Sequence, residues 1–476
     1  MKSRENRTKI IATLGPSSCD PSTLSQMIRS NVNVFRLNFS HGDYEWHAKA
    51  MREIRKAGKE LDLPVCLLQD LQGPKIRLGE VENDQVWIKT GDRLIITTDS
   101  VLGTPERIST DYKGLTEDIQ IGQSILVSDG KIELKVRDIQ GNGIETHVVH
   151  GGVLKSCQGL NLPETHTSLS SLTEKDKQDL SFGLKQDVDW IALSFVRGPE
   201  DVLPLKEQIR MQGKSTRVIA KIEKMEAIQN LPKIVEAADG IMVARGDLGV
   251  EIPMERVPIL QKTIVKECNR HAKPVIIATH MMESMVASPR PTRAETNDVA
   301  NAVIDGADAV MLSAETAVGK FPVEAVRTMY RIICEVERGV DSIYDKDHSS
   351  VPNSPTLLSD RLIKSACYLS RVTMGKGIVG MTQSGYSGFK ISSFRPKSPI
   401  FVFSNSRETL RVLGLAWGVR AFYYDKRVST DETISDVNLI LKKAGYVSNG
   451  DCFVIVASMP IGTGGSANML KLNVVS

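Results

Sequence analysis

With 476 residues, 41% of them hydrophobic and 25% charged, the chain is too long for one core, suits roughly two to four domains, and is neither disordered nor fibrous. A formal net charge of +3 is too small to argue for nucleic acid or an anionic membrane as a partner, so any anion-binding character must be local. The seven cysteines include no CxxC pair, which excludes a disulfide framework or a zinc site as expectations.

From the N-terminus, no signal-peptide apolar region follows the charged residues 1–8, and the chain reads as cytoplasmic. Short β-prone runs with polar ends then recur at 10–13, 34–37, 65–68, 190–193, 218–220, 241–243, 275–278 and 309–312. Helix-like sequence lies between most of them. Asp20 can cap, and Pro21 fits the first turn of, a segment reaching Ser30. Thr292 and Glu295 have capping-box spacing. Eight near-continuous apolar strands alternating with helices predict a closed parallel (β/α)8 TIM barrel.

The interval between the third and fourth runs is far longer than the others and holds on the order of 90 extra residues. That stretch, 74–162, changes character: 85–89, 94–97 and 132–136 are alternating or β-rich, between Gly-Asp, Asp-Gly and Gly-Asn turns. It predicts a small all-β domain at the carboxyl end of the third strand, placed to close over the barrel mouth as a lid. After a helix-like segment at 323–340, residues 344–356 are rich in Asp, Ser and Pro and read as a linker. Strand-like runs at 377–382, 400–404, 419–424 and 452–457, with helices at 357–371 and 407–417, predict a C-terminal α/β domain with an open sheet. The expected division is therefore 1–73 and 163–343 for the barrel, 74–162 for the lid and 344–476 for the last domain. The longest uncharged stretch, 452–470, is broken by Gly and Pro and too polar to span a bilayer, so no membrane association is expected.

Active sites of such barrels form at the strands' carboxyl ends. Those positions carry Thr13, Arg36, Asn38, Ser40, Asp70, Ser194, Lys221, Glu223, Asp247, Thr279, Ser313 and Glu315. For single Ser and Thr residues the plain alternative is that they satisfy turns. Glu223 and Asp247 carry more weight, because a buried strand has little other reason to end in such costly groups. Two carboxylates from adjacent strands suit a hard cation that keeps several waters, as magnesium does. The structural alternative is an ion pair with Lys221 or Arg245.

Gly246 and Asp247 also open a helix in this reading, and its free N–H groups would attract a carboxylate or phosphate. Arg36 can grip a phosphoryl group with its fork of donors. Anchored anion, divalent metal and lysine together suit phosphoryl transfer, where positioning and charge neutralisation supply most of the catalysis. Arg245-Gly246-Asp247 also spells an adhesion tripeptide, although here it follows a buried strand.

Several long motifs in order resemble those of pyruvate kinases: residues 33–42 (NVFRLNFSHG), Lys221-Ile222-Glu223, 241–253, 289–295 (PRPTRAE) and 308–313 (DAVMLS). The resemblance implies a barrel, an inserted lid and an α/β effector domain. It implies transfer of the phosphoryl group of phosphoenolpyruvate to ADP, giving pyruvate and ATP, by a homotetramer. By similarity, Glu223 and Asp247 would hold magnesium, for which manganese can substitute. Lys221 would neutralise the moving phosphoryl group and the developing enolate. Gly246, Asp247 and Thr279 would hold the substrate carboxylate, and Arg36 its phosphate. His41 and Arg77 would serve the nucleotide, which brings a second magnesium. Thr279, with Ser313 and Glu315, would deliver the enolate's proton. Thr382, Ser384 and Ser387 would form an effector loop for a phosphorylated small molecule, with Tyr386 disfavouring a bisphosphate.

Departures from the family pattern are instructive. Asn38, Ser40 and Asp70 match a monovalent-cation site, but the usual threonine is Leu71, which removes an oxygen ligand, and a common glutamate is Lys75. Lys75 would supply the missing charge, so potassium is not expected to be required. Gln158 and Glu164 replace a common lysine and glycine in the lid's return, and His280 stands where glutamine is usual. The alternative enzyme is a barrel lyase or aldolase acting on a pyruvate enolate, which would need no lid or nucleotide site. A non-catalytic regulator that keeps the fold is a third reading, disfavoured by the intact Lys221, Glu223, Asp247 and Thr279.

Overall fold

Alternate residues of eight short strands face opposite sides, and both sides are apolar. In the first strand Ile10 and Ala12 pack outward against helices, while Ile11 points into the ring with Val34, Leu68 and Met311. A strand buried on both faces must be covered on both, and closure into a barrel wrapped by helices does this. A computed structural model describes residues 6–347, 354–426, 428–459 and 465–475. Its barrel strands are β1 (Lys9–Thr13), β2 (Val32–Asn38), β3 (Cys66–Asp70), β4 (Trp190–Leu193), β5 (Arg217–Ile222), β6 (Gly240–Ala244), β7 (Val275–Ala278) and β8 (Ala309–Leu312). All eight pairings are parallel, and β1 against β8 closes the ring.

Caps set the helix starts. Asp20 accepts from the N–H groups of Ser22 and Thr23 ahead of helix Pro21–Arg29. Thr292 and Glu295 form the reciprocal capping box at helix Arg293–Asp305.

Between β3 and β4 stands the inserted sheet structure. A two-stranded piece pairs Gly152–Lys155 with Gln85–Ile88, and six further strands form a mostly antiparallel sheet. Its core, including Ile88, Leu94, Ile96, Ile125, Leu134 and Val148, is separate from the barrel's. One helical turn, Leu115–Asp118, interrupts the expected all-β character.

The C-terminal sheet comprises β9 (Ile378–Met381), β10 (Ile400–Ser404), β11 (Val419–Tyr423), β12 (Cys452–Ala457) and β13 (Met469–Val474), in the order β11-β10-β9-β12-β13. Only β13 runs antiparallel, and it escapes a sequence reading because most of its residues are exposed or half-buried at an edge. The helix expected over 407–417 is α-helical at Arg407–Val412 and then tightens into a 3₁₀ turn at Leu413–Leu415. Gly414 there packs on the barrel floor, where a Cβ would lie 3.3 Å from that of Cys66. Of the expected 344–356 linker, 348–353 fall outside the described residues.

The barrel's lower interior and this domain share one core: Ile11, Trp190, Ile219 and Met242 cluster with Phe389, Leu413 and Trp417. The C-terminal domain therefore seals the floor, and the inserted sheet overhangs the mouth.

Candidate active site

Strand register brings the mouth residues together. Thr13 is the cross-strand neighbour of Arg36, and Asn38 and Ala192 flank Asp70. Arg36 donates from Nε to Asp70 Oδ2 at 2.7 Å and from one terminal nitrogen to Thr13 Oγ1 at 3.1 Å. Lys221 sits beside the same carboxylate, 3.4 Å from Asp70 Oδ1, 2.8 Å from Glu223 Oε1, and donating to Ser194 Oγ at 2.8 Å. Glu223 is anchored from behind by the N–H of Phe195, which reaches Oε2 at 2.7 Å from a left-handed backbone (φ 55°).

Burial raises the stakes for every one of these charges. Lys221 is 9% exposed, Asp70 1% and Glu223 1%. Burial works against the Lys221 ammonium, but Asp70, Glu223 and Asp247 together outweigh it, and the pKa is raised. Burial likewise opposes the Asp70 carboxylate, yet Lys221 and Arg36 hold its pKa below the usual range. Glu223 goes the other way: burial, reinforced by the like charge of Asp247, raises its pKa against the pull of Lys221. Glu223 and Asp247 thus repel each other within one site.

The charge of Asp70 favours folding fully above the ordinary carboxylate pKa of about 3.9, and the benefit fades as pH falls through the lowered folded value. That of Lys221 is complete below about 10.4 and fades only as pH rises through its raised folded value. Asp70→Asn is accordingly expected to flatten the acid limb of the stability curve below about pH 4, measured by denaturant unfolding at successive pH values. An unchanged limb would remove Asp70 as an ionised partner of Arg36 and Lys221.

On the opposite side, Thr279 Oγ1 accepts from the Gly246 N–H at 2.7 Å and donates to Ala278 O at 2.6 Å. Glycine suits position 246, since a Cβ there would lie 3.3 Å from Thr279 Oγ1. Thr279 and His280 both have positive φ, 67° and 52°. Arg245, paired with Asp298 at 2.7 Å, donates to both their carbonyls and so holds the loop. Arg245 is turned inward in this clamp, which does not display the tripeptide for adhesion. Ser313 and Glu315 are half-buried and buried. Glu315 bridges the N–H groups of Met282 and Ser313 and acts as loop scaffolding.

A cleft of about 360 Å³ separates barrel and insert, lined among others by Lys75, Arg77, Arg197, Lys224 and Asp247. His41 is exposed at the end of β2, and its carbonyl is held by His47 Nε2 at 3.0 Å. Asn38 Oδ1 accepts from the Ser40 N–H. Lys75 differs from expectation: it is exposed and lies beside Gly159 on the insert's side of the cleft, whereas the cations at Asp70 are Arg36 and Lys221. Gln158 accepts from the Lys155 N–H, and Glu164 from the Ser124 N–H, so both stitch the insert's own return. His280 lies 3.7 Å from Glu283 at the surface.

In the C-terminal domain, Thr382, Ser384 and Ser387 line a second cavity of about 450 Å³ with Lys426. The turn uses Gly385 at φ 84°, and the Tyr386 hydroxyl is fastened to Asp360 at 2.5 Å and Thr356 at 2.8 Å.

Three features escape a sequence reading: the Phe195 N–H behind Glu223, the Arg245–Asp298 clamp, and Glu251, which gathers Lys224 and Asn161. Each depends on a contact remote in sequence. Only Lys224, adjoining Glu223, carried a local hint.

Residues 5–326 match the family described as pyruvate kinase, barrel domain, and residues 360–473 the pyruvate kinase alpha/beta domain. A pyruvate kinase of Geobacillus stearothermophilus is 43% identical over 99% of this chain and 81% of its own length. Pyruvate kinase 2 of a Synechocystis strain is 43% identical over 98% and 79%. A solved pyruvate kinase of Cryptosporidium parvum superposes with a TM-score of 0.93 at 37% identity, over 99% of this chain and 97% of that one. Agreement of this extent, across barrel, insert and C-terminal sheet alike, shows that the chain belongs to the pyruvate kinase family and is a phosphotransferase.

Proposed function

We propose that the chain transfers the phosphoryl group of phosphoenolpyruvate to ADP at the barrel mouth, with Lys221, Arg36 and Thr279 at the reacting end. The observation that carries this reading is the burial of one ammonium, Lys221, among Asp70, Glu223 and Asp247. The donor set fits magnesium: two hard carboxylates, Glu223 and Asp247, raise each other's energy in a way a divalent cation would relieve. Manganese suits the same oxygens. When bound, the metal supplies positive charge to substrate oxygens and to the charge that develops on them.

The chain's own groups do the rest. Lys221 stays protonated because its carboxylate neighbours hold the proton on, and its charge meets that spreading over the phosphoryl oxygens. Arg36 is oriented by Asp70 and Thr13 through Nε and one terminal nitrogen, leaving its other terminal nitrogen for the phosphate. Gly246, Asp247 and Thr279 form the carboxylate end. Thr279, with Ser313 at the end of the next strand, would pass a proton to the enolate. His41 and Arg77 serve the nucleotide, and the inserted sheet excludes water.

One coupled assay tests the whole reading. ATP formation from phosphoenolpyruvate and ADP is expected to saturate in magnesium, and Glu223→Gln or Asp247→Asn to raise the half-saturating concentration by about tenfold or more. Magnesium-independent turnover would overturn the metal assignment.

Potassium independence is supported by Leu71, whose buried side chain offers no oxygen, and by Asp70, whose carboxylate already faces two cations. Asn38 and Ser40 alone make a poor cage. Activity in potassium-free, sodium-free buffer is expected to lie within about twofold of that with potassium, and Lys75→Glu to lower the potassium-free rate, since the cleft loses a cation. A large potassium stimulation of the unmodified enzyme would reject this.

Further elements of the reading are a phosphorylated sugar or nucleotide monophosphate as effector at Thr382, Ser384 and Ser387, a homotetramer, and a cytoplasmic location. No helix among the described residues is long and apolar enough to cross a membrane. The division at 73/74, 162/163 and 343/344 is supported by the barrel, the insert's two sheets and the C-terminal sheet.

A further inference from the structure

The inserted sheet meets the barrel through a small charged knot. Asn161, on the strand Leu160–Asn161, donates from Nδ2 to Glu251 Oε1 at 3.3 Å, and Lys224 Nζ donates to the same oxygen at 3.0 Å. Glu251 is 5% exposed and ends the helix Arg245–Glu251 that carries Asp247 in its first turn. Lys224 directly follows Glu223. One residue before Glu251, Val250 lies near the insert's turn at Gly130, where a Cβ would be 3.9 Å from its Cγ1. Among the described residues, no other side-chain hydrogen bond or ion pair joins 74–162 to the barrel's strands and helices. The return segment makes the second link: Ser168 donates its N–H to Asp118 and Thr165 its hydroxyl to Gln123 of the insert, while Arg197 of the barrel donates to the carbonyls of Thr167 and Leu169.

A carboxylate this deeply buried is costly unless paired, and Lys224 alone would satisfy the charge within the barrel. The bond from Asn161 does something else: it crosses to the insert. We propose that Glu251 is a positioning residue for phosphoryl transfer. Through Asn161 it ties the inserted sheet to the two elements that carry Glu223 and Asp247, and so sets the height of Arg77 above the barrel mouth. A hydrogen bond to a charged acceptor is strong enough to bias the placement of such an inserted element. The kinetic part rests on reading Arg77 as a nucleotide contact; the tie itself does not.

The single variant changes the insert's side of the knot and leaves both members of the Lys224–Glu251 pair in place. Asn161→Asp sets two carboxylates against each other, whereas Asn161→Asp with Glu251→Gln restores a donor and an acceptor with their places exchanged. Two readouts are taken: amide hydrogen exchange within 124–162, and steady-state constants for both substrates. Asn161→Asp is expected to speed exchange and to raise the KM for ADP by about tenfold, with that for phosphoenolpyruvate changed less than about twofold. The double variant is expected to recover both readouts.

Unchanged exchange in Asn161→Asp would overturn the proposal, as would a double variant no better than the single one. If exchange rises but the KM for ADP does not, Arg77→Ala decides. A raised KM in that variant overturns the positioning role. An unchanged one upholds the tie and removes Arg77 from the nucleotide site.

Discussion

Lys221→Ala is expected to lower kcat by about 10³-fold, with the dissociation constant for phosphoenolpyruvate changed by only a few-fold. The asymmetry comes from the geometry. On the proposed reading, the ground-state substrate's charge would be shared among Arg36, the cation that Glu223 and Asp247 would hold and the carboxylate end near Thr279, so one ammonium would be replaceable. As the phosphoryl group leaves, charge spreads over its oxygens and over the enolate together, and the buried Lys221 is the protein cation held between Asp70 and Glu223 at that point. Water cannot substitute in a site where these groups are almost fully enclosed.

The same substitution removes the main counter-charge of Asp70 and Glu223, so both carboxyls are expected to titrate higher. Lys221→Arg keeps the charge but not the shape; a planar fork cannot follow a lysine stem into this enclosure, and its kcat is expected to stay low. Rapid-quench turnover and equilibrium binding separate the two effects. A near-normal kcat in Lys221→Ala would remove the lysine from the mechanism.

Why Lys221 was legible at all bears on what a sequence discloses. The strands Trp190–Leu193, Val275–Ala278 and Ala309–Leu312 begin and end where their apolar runs do, because a strand buried on both faces carries few polar residues. Charges such as Lys221 and Glu223 at the edge of such runs stand out for the same reason. Where burial is one-sided or partial the signal fades: Met469–Val474 lies at an exposed sheet edge and is absent from the strand-like runs the sequence offers. Tertiary orientation is less legible still. Lys75 was expected to compensate near Asp70, but its direction depends on how the insert leaves the barrel, and no local pattern encodes that. The N–H of Phe195 reaches Glu223 only because its φ is positive, a backbone choice that an aromatic residue gives no reason to expect.

Arg395→Ala is expected to destabilise the chain by roughly 3–5 kcal/mol, the cost of stranding one partner of a buried ion pair. Arg395 is 1% exposed at the seam between the C-terminal domain and the barrel floor. One terminal nitrogen donates to Asn269 Oδ1 at 2.8 Å, Gly306 O at 2.7 Å and Asp308 Oδ2 at 2.9 Å, and the other to Ser392 O at 2.7 Å. Its plane also lies 5.1 Å from the Trp417 ring.

Asp308 is the hub on the barrel side. It accepts from the N–H groups of Val275, at the start of β7, and Trp417, from the C-terminal domain. Alanine at 395 would leave that carboxylate buried with neutral donors alone, and would empty space under Trp417. Lysine offers charge but not the fork that reaches Ser392 O with one nitrogen and the barrel-side acceptors with the other, so Arg395→Lys is expected to recover only part of the loss. Arg395→Met combined with Asp308→Asn removes both charges, and it should be markedly less destabilised than the sum of the single changes. Because the chain has several domains, the comparison is made on the first denaturant transition rather than on a single global midpoint. Additive losses in that cycle would mean that the pair contributes packing alone, and that the seam is held by the shared apolar core of Trp190, Phe389 and Trp417.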